Sequence, residues 1–183
     1  MKYRLLESPL GNVIVAGDRE GLRRVDFQIG RHGAISIPED WEEDPTFALL
    51  RRAGQQLTEY FEGRRRSFSL PLAPVGTPFQ ERVWAELQRT TYGETLTYSQ
   101  LAKRAGRPSA IRAAGASNGK NPISIVIPCH RVLGKNGSLT GYGGGLEKKR
   151  ALLELEGGPR GHVLGHLRPG LSRVHPGVVA QAP

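Results

Sequence analysis

Apolar positions in the first 30 residues fall in short bursts separated by turn signals. Tyr3 and Leu5 alternate with polar neighbours, Pro9-Leu10-Gly11-Asn12 breaks the run, and Val13-Ile14-Val15 follows. After Asp18-Arg19-Glu20-Gly21 a third burst contains Leu22, Val25 and Phe27. Such runs bounded by Gly, Pro, Asn and Asp read as strands, so this stretch predicts an antiparallel meander. From Asp44-Pro45-Thr46 the spacing changes to three and four. Leu50, Ala53, Leu57, Tyr60 and Phe61 then lie on one helical face, with Asp44 as the expected N-cap. Gly63 and Arg64-Arg65-Arg66 close that helix.

Pro71 to Gly76 has the composition of a linker, and beyond it the pattern is mostly helical. Thr77-Pro78 predicts a helix start, with Phe79, Val83, Trp84 and Leu87 as its apolar face and Tyr92-Gly93 as its break. Short helices over Ser99–Ala105 and Ser109–Ser117, joined through Gly106-Arg107-Pro108, make a helix-turn-helix candidate. Asn118 to Pro122 reads as a tight turn, and Ile123-Ser124-Ile125-Val126-Ile127 as a buried strand leading into Pro128-Cys129-His130-Arg131. A glycine-rich loop from Leu139 to Gly145 precedes a last helix, Leu146–Leu155, with Leu146, Leu152, Leu153 and Leu155 as its apolar positions. The divisions are residues 1–72, a small mixed sheet-plus-helix domain; 73–158, a mainly helical domain; and 159–183, a flexible basic tail. The fold class is therefore α/β in the α+β sense.

Charge sharpens this picture. The 183 residues carry a formal net charge of +9. Between Leu101 and Leu146 there is no Asp or Glu, while Lys103, Arg104, Arg107, Arg112, Lys120, Arg131 and Lys135 all lie there. A basic half of this kind suits a polyanion, either nucleic acid or an acidic membrane surface. No apolar run approaches the roughly 18 residues that span a bilayer, and no apolar signal core follows Met1-Lys2-Tyr3-Arg4, so a cytoplasmic chain is expected. A single cysteine, Cys129, excludes an internal disulfide and a zinc site built from several thiolates. Flanked by His130 and Arg131, Cys129 is either a buried thiol or an activated nucleophile. Neighbouring side chains on a strand point to opposite faces, so a Cys–His pair needs a turn or a bridging water.

Several segments together resemble the O6-alkylguanine-DNA alkyltransferases: Gly76-Thr77-Pro78-Phe79-Gln80 with Val83-Trp84, Gly93-Glu94-Thr95 with Thr97-Tyr98, and Arg112-Ala113. Asn118 to Pro122, Ile127 to Val132 and Leu139 to Leu146 continue the likeness, which runs from about Gly76 to Gly157. It implies a helical, winged-helix-like catalytic DNA-binding domain after the amino-terminal one. The implied activity is the irreversible transfer of an alkyl group from O6-alkylguanine in DNA to Cys129, with no cofactor.

The resemblance also implies a role for each matched residue. Cys129 attacks, His130 takes its proton through an ordered water, and Glu156 orients His130. Tyr98 donates to the departing base, and Asn121 braces the active-site turn. Backbone groups of Cys129, Val132 and Gly143, with Tyr142 beside them, contact the base. Gly143 stands where some relatives carry a hydroxyl residue. The target nucleotide is flipped from the duplex, and Arg112 fills its place. Ala113, Gly115 and Ser99 are DNA-facing, and the helix that carries Arg112 enters the minor groove of double-stranded DNA with little sequence preference. No membrane partner is implied, and a monomer is expected. Some relatives hold zinc through cysteines and histidines, but with Cys129 as the only cysteine no structural zinc is expected, and His162, His166 and His175 read as part of the tail. A non-catalytic lesion sensor on the same scaffold is the rival reading, and Cys129 argues against it.

Overall fold

The computed structural model describes residues 1–157, so the 159–183 tail, including His162, His166 and His175, lies outside the described residues. The meander is present as β1 (Lys2–Leu6), β2 (Val13–Gly17) and β3 (Leu22–Phe27), antiparallel with Leu5 opposite Ile14 and Val15 opposite Val25. The central strand β2 is buried along its whole length, which is why it reads as a continuous apolar run rather than an alternating one. A hairpin, β4 (Ile29–Gly30) and β5 (Gly33–Ala34), follows. The short β6 (Glu42–Glu43) then adds to β1 in parallel, giving the order β3-β2-β1-β6.

Helix α1 (Ala48–Phe61) packs on β2 and buries Leu50, Ala53, Leu57 and Tyr60. Asp44 is not its N-cap. Its Oδ1 accepts from the Thr46 and Phe47 N–H groups and from the Thr46 hydroxyl, which closes a turn ahead of the helix and leaves the cap position to Phe47.

The linker is not loose. Leu22 N–H donates to Pro71 O at 2.8 Å and Ala73 N–H to Leu22 O at 2.9 Å, which straps it to the edge of β3. Further along the same edge, Val25 N–H donates to Pro122 O at 3.0 Å and Ser124 N–H to Val25 O at 2.7 Å. The sheet therefore fixes where the second half begins and where its Cys129 loop starts.

Helix α2 (Pro78–Gln88) starts at Thr77, whose side chain forms a reciprocal capping box with Gln80. After β7 (Leu96–Thr97), a second capping box between Thr97 and Gln100 starts α3 (Tyr98–Arg104). The turn at Gly106, whose φ of +77° only glycine adopts readily, leads to α4 (Ile111–Gly119). Helices α2, α3 and α4 pack on one another, and the Trp84 indole N–H reaches Ser117 O at 2.9 Å. The parallel β8 (Val132–Leu133) pairs with β7, and α5 (Leu146–Leu155) closes the described chain. On α5 the sequence reading needs correction, because Leu146 is exposed and Lys149 is buried in its stead.

One apolar cluster runs through both halves, from Val15, Phe27 and Leu57 to Trp84, Leu101, Ile123 and Leu152. Among the described residues no helix is long and apolar enough to cross a membrane.

Candidate active site

The segment Ile123 to Ile127 is not a strand. Ile127 N–H donates back to Ile123 O at 2.9 Å, Val126 N–H donates to Ser124 O at 2.9 Å, and Ile125 has a φ of +72°. A left-handed β-branched residue is strained and persists only where its surroundings impose it. Here the Asn121 side chain imposes it: Nδ2 donates to Ile127 O at 2.8 Å and Oδ1 accepts from Ile123 N–H at 3.0 Å. Beyond the loop, Cys129–Arg131 form a 3-10 turn, and Asn118 Nδ2 donates to Cys129 O at 3.3 Å.

That turn sends Cys129 and His130 in different directions. Cys129 is 4% exposed and lines a narrow pocket of about 40 Å³ with Asp26, Asn121, Ser124, Gly141, Tyr142 and Gly143. The glycine loop on the far wall is tethered to the hairpin, since Arg31 N–H donates to Gly143 O at 2.7 Å and Lys148 Nζ to Ile29 O at 3.1 Å. The Tyr142 hydroxyl is buried without a hydrogen-bond partner among the described residues. Burial pushes the Cys129 thiol up, and the Asp26 carboxylate adds to this. Hydrogen bonds with Asn121 and Ser124 and the charge of Lys149 oppose it.

A buried charge network centres on Glu156, reached through His130 and Arg131 of the same 3-10 turn as Cys129. Oε1 accepts from His130 Nε2 at 2.9 Å, Arg131 Nη2 at 2.9 Å and the Tyr60 hydroxyl at 2.7 Å. Oε2 accepts from Arg131 Nε at 2.8 Å and Gly93 N–H at 3.1 Å. A Cβ at Gly93 would stand 2.9 Å from Glu156 O, and its φ is +79°, so glycine is required at this approach. Burial works to raise the Glu156 carboxyl, but the bonds and charges of His130 and Arg131 outweigh it and hold the group far below the ordinary carboxylate range. Burial lowers His130 against the pull of Glu156, which leaves a neutral imidazole near pH 7. An ionised carboxylate only accepts, so Nε2 carries the hydrogen and the bare lone pair is on Nδ1. Nδ1 is buried and has no partner among the described residues. The site therefore holds a thiol, a neutral base with its free nitrogen unpaired, and an anion behind that base.

Lys149 escaped the sequence reading. It is fully buried, its Nζ donates to Val132 O and Thr140 O at 2.6 Å each, and burial brings its pKa down to about 8 even though Cys129 acts to raise it. Replacing Lys149 by Met removes a buried cation whose charge favours the Cys129 thiolate. The pH midpoint for Cys129 reaction with iodoacetamide is expected to rise, and the rate at pH 7 to fall about tenfold. An unchanged midpoint would exclude this electrostatic role.

The other predicted residues fall around the pocket rather than in it. The Tyr98 hydroxyl lies 3.3 Å from Thr140 O, beside Gly141, and does not line the 40 Å³ pocket. Val132 O, expected at the base edge, already accepts from Lys149. Arg112 and Ala113 are exposed on the first turn of α4, and Ser99 is exposed on α3. Gly115 faces the Tyr98 ring, where a Cβ would sit 3.3 Å from Cδ1. Lys103, Arg104, Arg107 and Lys120 are exposed with Arg112, whereas Arg131 is buried and serves Glu156, so it does not belong to the basic surface.

Two family models match the chain: "6-O-methylguanine DNA methyltransferase, ribonuclease-like domain" over residues 1–74, and "6-O-methylguanine DNA methyltransferase, DNA binding domain" over residues 78–158. A methylated-DNA–protein-cysteine methyltransferase of Methanosarcina acetivorans is 50% identical over 157 residues, covering 86% of this chain and 99% of the relative. One from Haemophilus influenzae is 44% identical, covering 84% and 85% respectively. The crystal structure of Mycobacterium tuberculosis OGT in complex with DNA superposes with a TM-score of 0.79 at 43% identity, over 85% of this chain and 92% of that one. The O6-methylguanine DNA methyltransferase of Methanococcus jannaschii shares the fold at 23% identity, with a TM-score of 0.61 over 94% of this chain and all of that one.

Proposed function

Since the chain belongs to the 6-O-methylguanine DNA methyltransferase family, we propose that it repairs O6-alkylguanine by taking the alkyl group onto Cys129 once and irreversibly. It is a methylated-DNA–protein-cysteine methyltransferase, which binds DNA and transfers an alkyl group from it to cysteine. The observation that carries the assignment to Cys129 is its position. The only cysteine in the chain lines a narrow pocket, and the residue that follows it, His130, is buried and hydrogen-bonded to Glu156.

In this reading the Cys129 proton passes, through one water, to Nδ1 of His130, and Glu156 stabilises the imidazolium so formed. The sulfur electron pair forms the S–C bond as the C–O6 bond breaks. Its electrons leave with guanine, which takes up a proton, and Tyr98 is the donor proposed for that step. Thioether formation leaves no route back to the thiol, so each molecule acts once. The raised thiol pKa agrees with this order of events, because the resting sulfur stays neutral and becomes anionic only as its proton leaves.

O6 lies inside the duplex, so the lesion must be extruded, at a cost of a few kcal/mol. The pocket's 40 Å³ offers room for a few waters rather than a purine, so entry of the base requires the Gly141–Gly143 wall to yield. Exposed Arg112 on α4 is proposed to fill the vacated stack from the minor groove, with Ala113 and Gly115 letting the helix approach and Ser99 contacting the backbone. Tyr142 and the backbone of Cys129, Val132 and Gly143 complete the base contacts. The protein is proposed to act as a monomer.

Incubation with duplex DNA carrying O6-methylguanine, followed by peptide mass spectrometry, should find one methyl on the Cys129 peptide and none elsewhere. Methylation at another residue, or loss of the lesion with an unmodified thiol, would refute the assignment. Replacing Arg112 by Ala should slow repair in duplex roughly ten- to a hundredfold, since the cost of flipping is no longer offset, while reaction with free O6-benzylguanine stays near wild type. Equal slowing with both substrates would remove Arg112 from the flipping step.

A further inference from the structure

We propose that Tyr60, carried on α1 in the amino-terminal half, is a positioning residue for the transfer reaction: its hydroxyl holds Glu156 so that His130 keeps the tautomer able to accept the thiol proton. The proposal rests on the His130–Glu156 relay described above.

The Tyr60 hydroxyl donates to Glu156 Oε1 at 2.7 Å, the oxygen that also accepts from His130 at 2.9 Å. Tyr60 stands 96 positions before Glu156 and is 1% exposed, its ring packed against Phe61, Phe68 and Tyr92. Arg131 forms a two-point pair with both carboxylate oxygens, and that pair satisfies itself whether or not His130 is bonded. A third donor on Oε1 changes this, because it fixes the oxygen that His130 uses against a rigid wall of the other half. The hydrogen thereby stays on His130 Nε2 and the lone pair on Nδ1.

A tyrosine with only a packing role needs no carboxylate, since a backbone carbonyl satisfies a buried hydroxyl equally well. Burial and the neighbouring carboxylate hold the Tyr60 hydroxyl in its protonated, donating form across the working pH range. The other charged and titratable groups that face this cluster are His130 and Arg131 on the Cys129 turn, Lys149 on α5, Tyr92 before Gly93, and Tyr142 on the glycine loop. Among the described residues Tyr60 is the one donor to Glu156 contributed by the sheet half, so it ties the relay to a part of the chain that contributes no reacting atom.

The test is Tyr60→Phe in the full chain, which removes a single oxygen. The second-order rate constant for methyl transfer from duplex O6-methylguanine is expected to fall about tenfold, the loss of one hydrogen bond to a charged group. The acid limb of its pH profile should move to lower pH, because the released carboxylate settles on Arg131 and His130 loses part of the anion that favours its cation. Duplex affinity should stay at the wild-type value. An unmoved acid limb, or one displaced to higher pH, overturns the proposal, since a packing role alters stability and not this limb. His130→Gln is measured alongside. If that variant is slow while Tyr60→Phe matches wild type, only the Tyr60 proposal fails; if His130→Gln is also unaffected, the relay itself fails. Should Tyr60→Phe not fold, wild-type proton NMR decides, because the proposal requires a slowly exchanging downfield hydroxyl proton with a nuclear Overhauser contact to the His130 ring.

Discussion

Replacing Cys129 by Ser is expected to abolish alkyl transfer, with a loss of roughly a million-fold, the scale seen when an enzyme's nucleophile is removed. The pocket is arranged for sulfur. Burial already pushes the thiol up from its ordinary 9.0, and hydrogen bonds from Asn121 and Ser124 together with the Lys149 charge can only partly offset that. An alcohol ionises several units higher still, and the buried, neutral His130 is a weakened base. The surface proposed to face DNA is unaffected, because Cys129 is 4% exposed whereas Arg112, Lys103 and Arg107 are exposed on and between α3 and α4. Mobility-shift affinity for lesion-bearing duplex should therefore remain within about twofold of wild type, well under the roughly 1.4 kcal/mol that a tenfold change represents. A Ser variant that still removes methyl from DNA would mean the acceptor is another atom. For wild type, titration with excess lesion should stop at one methyl per molecule.

The parts of this molecule that were legible in the sequence are those whose signal is local. Strands β1 to β3 announce themselves by turn residues and short apolar runs, and α2 by Thr77-Pro78 at its start. Where the sequence misled, a distant partner decides the conformation. An apolar run of five such as Ile123–Ile127 has the signature of a buried strand whether it is extended or folded back. What folds it is the Asn121 grip on Ile127 O and the β3 edge that takes Pro122 and Ser124. Asp44 differs, since there a local competitor wins: its side chain closes a turn with Thr46 instead of capping α1.

The site divides along the same line. Cys129, His130 and Asn121 are within ten residues of one another and could be found as a motif, and resemblance extended the set to Tyr98, Tyr142, Gly143 and Glu156. Lys149 could not be found that way. It adjoins the half-buried Lys148, and only the carbonyls of Val132 and Thr140, brought over it by β8 and the glycine loop, make burying its ammonium tolerable. Arg131 carries the same lesson: counted with the basic surface in the sequence, it is consumed internally by Glu156 and Thr90 O. A buried carboxylate needs a counter-charge, and a sequence does not say which of several cations supplies it.

Glu156→Gln tests that network through stability as well as chemistry. The amide keeps the shape of the carboxylate but can present only one accepting oxygen. Five donors now converge on the two oxygens of Glu156, so at least one of Arg131 Nε–H, Arg131 Nη2–H or Gly93 N–H would face an NH₂ group. Arg131, 6% exposed, is left without a counter-charge. Breaking a buried pair in this way costs about 3–5 kcal/mol, which corresponds to a fall in Tm of roughly 10 °C for a chain of this size. Transfer should also slow roughly a hundredfold, because His130 loses the anion that stabilises its cation. The pH dependence separates the charge from the shape. Glu156 is held well below its ordinary 4.5 in the folded state, so its contribution is complete above that value. As pH falls further, the unfolded chain takes up a proton that the folded chain refuses, and wild type loses about 1.4 kcal/mol per pH unit from this group. The amide variant has no such proton to refuse. The urea midpoint gap between wild type and variant is therefore expected to be wide at pH 7 and to narrow by pH 3. A gap that stayed constant over that range would mean that folding does not lower the Glu156 pKa, and one that widened as pH fell would mean that the carboxyl is protonated in the folded protein and no anion faces His130.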